Sequence, residues 1–277
     1  MQILNYGIDR LRISFSNYKL KDFDSFTECF PQKGSSRGWL WYKNHIASIG
    51  FSNDGIYCSV EFFALFFITK GQRFNKTEAI VKEFLDSFFS AYSAYKVTRL
   101  DIFIDQKKNT LEPLTHDIYT GTSKLEHYIY GEEGNIGTYY LQPKTKAWIL
   151  KRYDKSEEII AHNISHRYNE HYNSNVIRTE YSYQKKCLKN LKEQSFANVI
   201  AYAIRNMGKL KIVESEKLIE LLTKEVQQVC NTYKSSKGQY TGEKVKRQIL
   251  ENARQLHAEY NSMSNDKHEF ISRLLDI

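Results

Sequence analysis

Leu11, Ile13 and Phe15 alternate with Arg12 and Ser14, so the chain opens on a strand with one apolar face. Trp39 to Phe51 and Tyr57 to Ile68 are aromatic and β-branched runs separated by Ser52-Asn53-Asp54-Gly55, which predicts a hairpin. Asn75 with Glu78 three residues on is a helix-capping pair, and Ile80, Phe84, Phe88 and Tyr92 follow at spacing four. Val97 to Asp105 is the clearest strand. The stretch 107–130 is weakly patterned, and Gly131 to Gly137 is a glycine-punctuated turn without the Lys-Ser/Thr ending of a phosphate loop. Strands over 137–155 and 176–184 bracket a polar, His-containing connection. Beyond 186 the period becomes helical: Ile219, Leu222, Val226, Val229 and Tyr233 step by three and four, as do Val245, Ile249, Ala253, Leu256 and Tyr260, and Asp266 with Glu269 is a further capping pair. Asn231 to Gly242 is the linker candidate. The pattern predicts an α+β protein with a mostly antiparallel sheet in residues 1–192 and a C-terminal helical segment over 193–277.

Composition narrows the class. Of 277 residues 41 % are apolar and 26 % charged, which suits a globular chain and excludes wholesale disorder. The longest apolar run, Phe62 to Ile68, is far short of the roughly 20 residues of a membrane span, so no membrane association is expected. No signal-peptide pattern opens the chain. Cys29, Cys58, Cys187 and Cys230 are scattered, which fits reduced thiols and a cytoplasmic setting. The net charge of +8 is concentrated: residues 1–143 sum to zero and residues 144–192 carry +6. A concentration of that kind is the footprint of a polyanion-binding surface or a solvated lysine-rich face.

Three strands hold the candidate chemistry. In Val97 to Asp105, Leu100, Ile102 and Ile104 share one face while Arg99, Asp101, Phe103 and Asp105 share the other. Acids among β-formers need a cationic partner or a metal. Asp101 and Asp105 lie about 13 Å apart along a straight strand, too far to ligate one ion together. In the next strand Tyr153 shares a face with Lys151 and Lys155, and two ammonium groups beside a phenol favour phenolate, a nucleophile. The third strand places Arg178, Glu180 and Ser182 on one face, and Glu61 is a further acid inside an apolar strand.

Taken together, TRLDIFID (98–105), LKRYDKSEE (150–158) and IRTEYSYQKK (177–186) resemble the trans-acting replication initiators of small rolling-circle plasmids. That superfamily also includes filamentous-phage initiation factors and relaxases of integrative conjugative elements. Arg99, Leu100, Asp101 and Asp105 match the first motif. Tyr153, Asp154, Lys155 and one of Glu157 or Glu158 match the second, and Arg178 and Glu180 match the third. Lys151 stands where the family usually has arginine. The resemblance covers residues 97–190. It implies that 1–192 is a DNA-nicking domain in which Tyr153, helped by Lys151 and Lys155, attacks a phosphate and forms a 5′-phosphotyrosine. It further implies a Mg²⁺ or Mn²⁺ cofactor on acids, of which Asp101, Glu180, Glu61 and Asp105 are the candidates. Hard carboxylates suit those ions. Arg99, Arg152, Arg178, Lys185, Lys186 and Lys189 are the expected DNA-binding residues. Origin DNA with an extruded hairpin or single-stranded nick region, a host helicase and a polymerase are the expected partners. The helical segment is expected to recognise DNA or form a homodimer.

A conjugative relaxase and a non-enzymatic DNA-binding protein on the same scaffold are the alternatives. His162, His166 and His171 do not complete a zinc motif, and no His-hydrophobic-His triplet is present.

Overall fold

Alternation at period two extends through most of the chain, and the computed structural model turns it into one large antiparallel sheet. The structure describes residues 2–235 apart from 45, 64–73, 109, 133–134, 166–167 and 192–193. In chain order the elements are β1 (Gln2–Ser16), β2 (Lys19–Leu20), α1 (Phe23–Cys29), β3 (Gln32–Ser36), β4 (Trp39–Lys43), β5 (Ala47–Ser52), β6 (Tyr57–Phe62), α2 (Phe74–Phe88), β7 (Phe89–Ala91) and β8 (Lys96–Lys107). After these come β9 (Leu125–Glu132), β10 (Asn135–Pro143), β11 (Trp148–Asp154), α3 (Lys155–Ala161), β12 (Val176–Gln184), α4 (Lys185–Leu188), α5 (Phe196–Met207) and α6 (Val213–Ser235). Among the described residues ten strands form the sheet, in the order β3-β4-β5-β6-β1-β8-β12-β11-β10-β9. The protein is α+β.

One face of the sheet is apolar and carries α1, α2, α4, α5 and α6. Leu11, Ile13, Ile49, Val60, Leu100, Ile102 and Leu150 meet Phe26 of α1, Leu85 of α2, Leu188 of α4, Ala203 of α5 and Leu222 of α6 in a single core. The other face is polar. A second small cluster, Ile159, Tyr172 and Val176 with Leu4, Ile164 and Tyr168, roofs one end of that face.

Several expected elements are redrawn. The run 39–51 is two strands, because the Asn44 carboxamide accepts from the backbone N–H groups of Ile46 and Ala47 at 2.8 Å and turns the chain. The run 137–155 splits at Pro143, where Lys146 N–H bonds the Pro143 carbonyl at 2.7 Å and Lys146 takes a positive φ of 51°. The weakly patterned stretch contains β9, an edge strand whose residues 125–129 are half-buried or exposed, so it lacks the buried alternation that marks a strand. The spacing-four stripe of α2 is offset: Thr77, Val81 and Leu85 are the buried residues among those described, and Tyr92 lies beyond the helix. Helix α6 runs to Ser235, so residues 231–235 of the linker candidate are helical. Residues 236–277, including the second periodic stretch and the Asp266–Glu269 pair, lie outside the described residues, as does His166.

Helices α5 and α6 belong to the body: Tyr183 donates to the Ala203 carbonyl at 3.1 Å and Tyr181 shares a 2.7 Å hydrogen bond with Ser215. The body therefore continues past residue 192, through Leu222 at least. Among the described residues no helix is long and apolar enough to cross a membrane.

Candidate active site

Register brings the three motif strands together as neighbours. β8 pairs with β12 so that Asp101 faces Ser182, Phe103 faces Glu180 and Asp105 faces Arg178. β12 pairs with β11 so that Glu180 faces Lys151 and Arg178 faces Tyr153. On the far side of β8, β1 sets Arg12 against Arg99, and β6 sets Glu61 against Arg12. All project from the polar face, as period two dictates.

Two ion-pair systems result. At the roofed end Arg178 donates Nε to Asp105 Oδ1 at 2.7 Å and Nη2 to Oδ2 at 2.8 Å, a bidentate fork. Tyr172 donates to the same Oδ2 at 2.8 Å, and the guanidinium lies over the Phe103 ring, 3.9 Å from its centroid. Arg178 also reaches Asp9 Oδ1 at 3.2 Å. At the open end Arg99 Nη2 pairs with Asp101 Oδ2 at 2.6 Å and Nη1 with Glu61 Oε1 at 3.3 Å. Ser182 donates to Asp101 Oδ1 at 2.5 Å, and Arg12 holds Glu61 Oε2 at 2.6 Å. Between the two ends Lys151 donates to Glu180 Oε1 at 2.5 Å.

Tyr153, the last but one residue of β11, is half-buried. Lys155 stands 6.0 Å from its ring centroid and pairs with Glu158. The sequence pattern suggested that Lys151 and Lys155 would lower the phenol pKa, and the structure corrects this. Burial pushes the Tyr153 phenol well up, with Glu180, Glu158 and Asp9 adding to the rise and Arg178 opposing it. The physical reason is that Glu180 and Glu158 already neutralise the two lysines. Glu180 is itself shifted upward by burial, against the pull of Lys151 and with the repulsion of Asp101 and Asp9.

The four acids expected to hold a metal are therefore placed on one face but partnered: Asp101 by Arg99, Glu61 by Arg12 and Arg99, Asp105 by Arg178, Glu180 by Lys151. Among the described residues no three His, Cys, Asp or Glu side chains stand together as a metal cage. As arranged, these carboxylates fit guanidinium and ammonium groups and do not form a ready site for Mg²⁺ or Mn²⁺.

The expected DNA-binding residues divide. Lys185, Lys186 and Lys189 are exposed on and beside α4. Arg99 is partly open, at 19 % side-chain exposure. Arg178 is sealed in. Arg152 points to the helix-covered face, where Nη2 meets Glu214 Oε2 of α6 at 3.0 Å and Nε donates to Thr179 at 3.3 Å. Its donors hold α6 to β11.

Three contributors escaped the sequence. Asp9 reaches the site from an irregularity in β1, where Ile8 faces Ile102 and Arg10 already faces Asp101. One extra residue in a strand re-aims a side chain, and Ile8-Asp9-Arg10 gave no local sign of it. Tyr172 comes from a short 3₁₀ turn in the polar connection. Arg12 was visible only as the polar partner in an alternating strand.

No family model matches the chain, and no curated protein does. Among solved structures it is similar to the rolling circle replication initiator protein from Geobacillus stearothermophilus, at 14 % identity and a TM-score of 0.42, covering 72 % of this chain and 77 % of that one.

Proposed function

We propose that this chain nicks and rejoins DNA through Tyr153, as an initiator of rolling-circle replication acting on origin DNA. The observation that supports it is convergence: the tyrosine, Lys151, Arg178, Glu180 and Asp101 come from three separate sequence motifs and meet on one polar face, with Lys155 of α3 at 6.0 Å from the tyrosine ring. In the proposed step the phenolic oxygen attacks phosphorus and the bond from phosphorus to the 3′ oxygen breaks. The phenolic proton leaves to the surrounding acids, and the 3′ oxygen gains one. The product is a 5′-phosphotyrosine with a free 3′-hydroxyl, and reversal reseals the strand.

Arg178 supplies the positive charge that favours phenolate, and its fork to Asp105 fixes where that charge sits. Lys155, 6.0 Å from the phenol ring, and Lys151, two residues before Tyr153 on the same face of β11, are the further cations of the proposal, whose charge would offset that of the transition state. Asp101 and Glu180 are the acids that would hold Mg²⁺ or Mn²⁺, in place of their pairs with Arg99 and Lys151, and the ion would supply positive charge to the phosphate.

Tyr153→Phe tests the reading, since it deletes one oxygen and keeps the ring. Incubation with supercoiled or single-stranded origin DNA, followed by denaturing electrophoresis, should show a covalent protein–DNA adduct for the unmodified chain and none for Tyr153→Phe. Phe variants of Tyr139, Tyr140, Tyr181 and Tyr183 should still form it. An adduct formed by Tyr153→Phe overturns the assignment.

A further inference from the structure

The polar face does not stop at the ion pairs. Register carries it across the other half of the sheet: Arg12 faces Glu61, Glu61 faces Ser48, and Ser48 faces Lys43. Lys43, Trp41 and Trp39 alternate along β4, so both tryptophans stand on the same face as Tyr153. Their rings are stacked, with centroids 5.7 Å apart and planes 27° from parallel, and both are half-buried.

The sequence is shaped to hold them so. Trp41 faces Gly50 on β5, and a Cβ on Gly50 would lie 2.6–2.8 Å from the Trp41 ring. Only a glycine lets the indole lie down on the sheet there. In register beyond Gly50 come Ser59 and Ser14, which leave a low floor between the indoles and β8. Beside that floor Phe63 lies under two cations, Lys43 Nζ at 5.3 Å and Arg10 Cζ at 5.7 Å from its ring centroid.

Aromatic faces set in a basic, low-floored surface are how proteins hold unpaired bases without reading their identity. A duplex buries the flat faces of its bases and offers such a platform nothing to stack on. We infer that the β4–β1 half of this face is a binding surface for single-stranded DNA. Trp39 and Trp41 stack bases, while Lys43, Arg10 and Arg12 meet the phosphates. The surface is continuous with the Tyr153 site. Six strand-to-strand steps of about 4.8 Å place Trp41 about 29 Å from the Tyr153 strand. At about 3.4 Å per stacked nucleotide, that is a run of about eight nucleotides. The position of the cut relative to the platform rests on the strand-transfer reading; the platform itself does not.

The test uses the full chain and a fluorescein-labelled oligothymidylate of about 16 nucleotides, with a blunt duplex of equal length beside it. Trp39→Ala and Trp41→Ala should each bind the single strand about tenfold more weakly, with Trp41→Phe keeping most of the affinity. Duplex affinity should stay within about twofold. In the unmodified protein, photocrosslinking of an iodouracil-substituted strand should map to Trp39 or Trp41, a measurement that needs no variant to fold. Unchanged single-strand affinity in both alanine variants, equal loss on the duplex, or a crosslink map that misses both tryptophans overturns the inference. Tyr153→Phe separates the two ideas: it should lose the adduct and keep oligothymidylate binding. A chain that shows the tryptophan effects but never forms an adduct loses the strand-transfer reading alone.

Discussion

Asp101 and Asp105 sit four residues apart on the same face of the same strand, each bound to an arginine, yet they belong to different kinds of site. Asp105 is fully buried, and its partner Arg178 is 2 % exposed; fork, phenol and ring leave neither charge unpartnered. Asp101 is equally buried, but its partner Arg99 is 19 % exposed and divides its guanidinium between two acids. Arg12, third in that chain of charges, is 37 % exposed. A buried charge that loses its partner cannot be rescued by water, while one at an open rim can. The roofed end therefore behaves as a fixed part that aims Arg178 at Tyr153. The open end, where water reaches Arg99 and Arg12, can exchange partners.

The largest expected effect tests the roofed end. Asp105→Ala strands Arg178 in the interior and should cost about 3–5 kcal/mol in urea unfolding. Asp105→Leu combined with Arg178→Met should recover much of that loss, although the double variant should not form the adduct. Stability near that of the unmodified protein in Asp105→Ala would erase the contrast.

At the open end Asp101→Asn keeps the shape and weakens charge-assisted bonds to Arg99, with an expected cost of about 1–2 kcal/mol. Arg12→Ala should cost less than about 1 kcal/mol, since its pair with Glu61 is screened by water. Losses as large as that of Asp105→Ala would show that the open end is as rigid as the other.

The smallest effect is a pH dependence that sharpens the same division. Burial raises the phenol pKa of Tyr153 and Tyr172 at the roofed end, and of Tyr181 and Tyr183 on the helix-covered face. A raised folded pKa means that the unfolded chain loses the proton first. The stability these groups contribute is thus complete below about pH 10 and falls as pH climbs beyond it. Alkaline titration of unfolding should show this decline, and Tyr172→Phe should make it shallower. At lower pH the same rise keeps Tyr153 protonated, so adduct formation, where chemistry limits it, should quicken as pH rises.

Much of this was legible in the residues. Period-two alternation in TRLDIFID put Arg99, Asp101 and Asp105 on one face, and their four-residue spacing already separated the two acids into different neighbourhoods. The hairpin at Ser52-Asn53-Asp54-Gly55 and the strand 176–184 followed from turn chemistry and β-former content. What could not be read were relations between distant segments. The charge of Lys151 and Lys155 predicted an acidic phenol, but which acids answer those charges depends on strand register and on α3. Alternation already turned Arg152 away from Tyr153, but that it serves Glu214, 62 residues away, and not DNA could not be read.

Local steric and hydrogen-bonding rules act over a few residues, so the sequence alone determined most of the strands and their faces, while the candidate tyrosine came from the resemblance of the three motifs. Pairing order, the irregularity that admits Asp9 and the roof over Asp105 arise from contacts between segments far apart in the chain. Only the tertiary structure decided which charges meet, because the energy of a charge is set by what surrounds it in space and not by its neighbours in sequence.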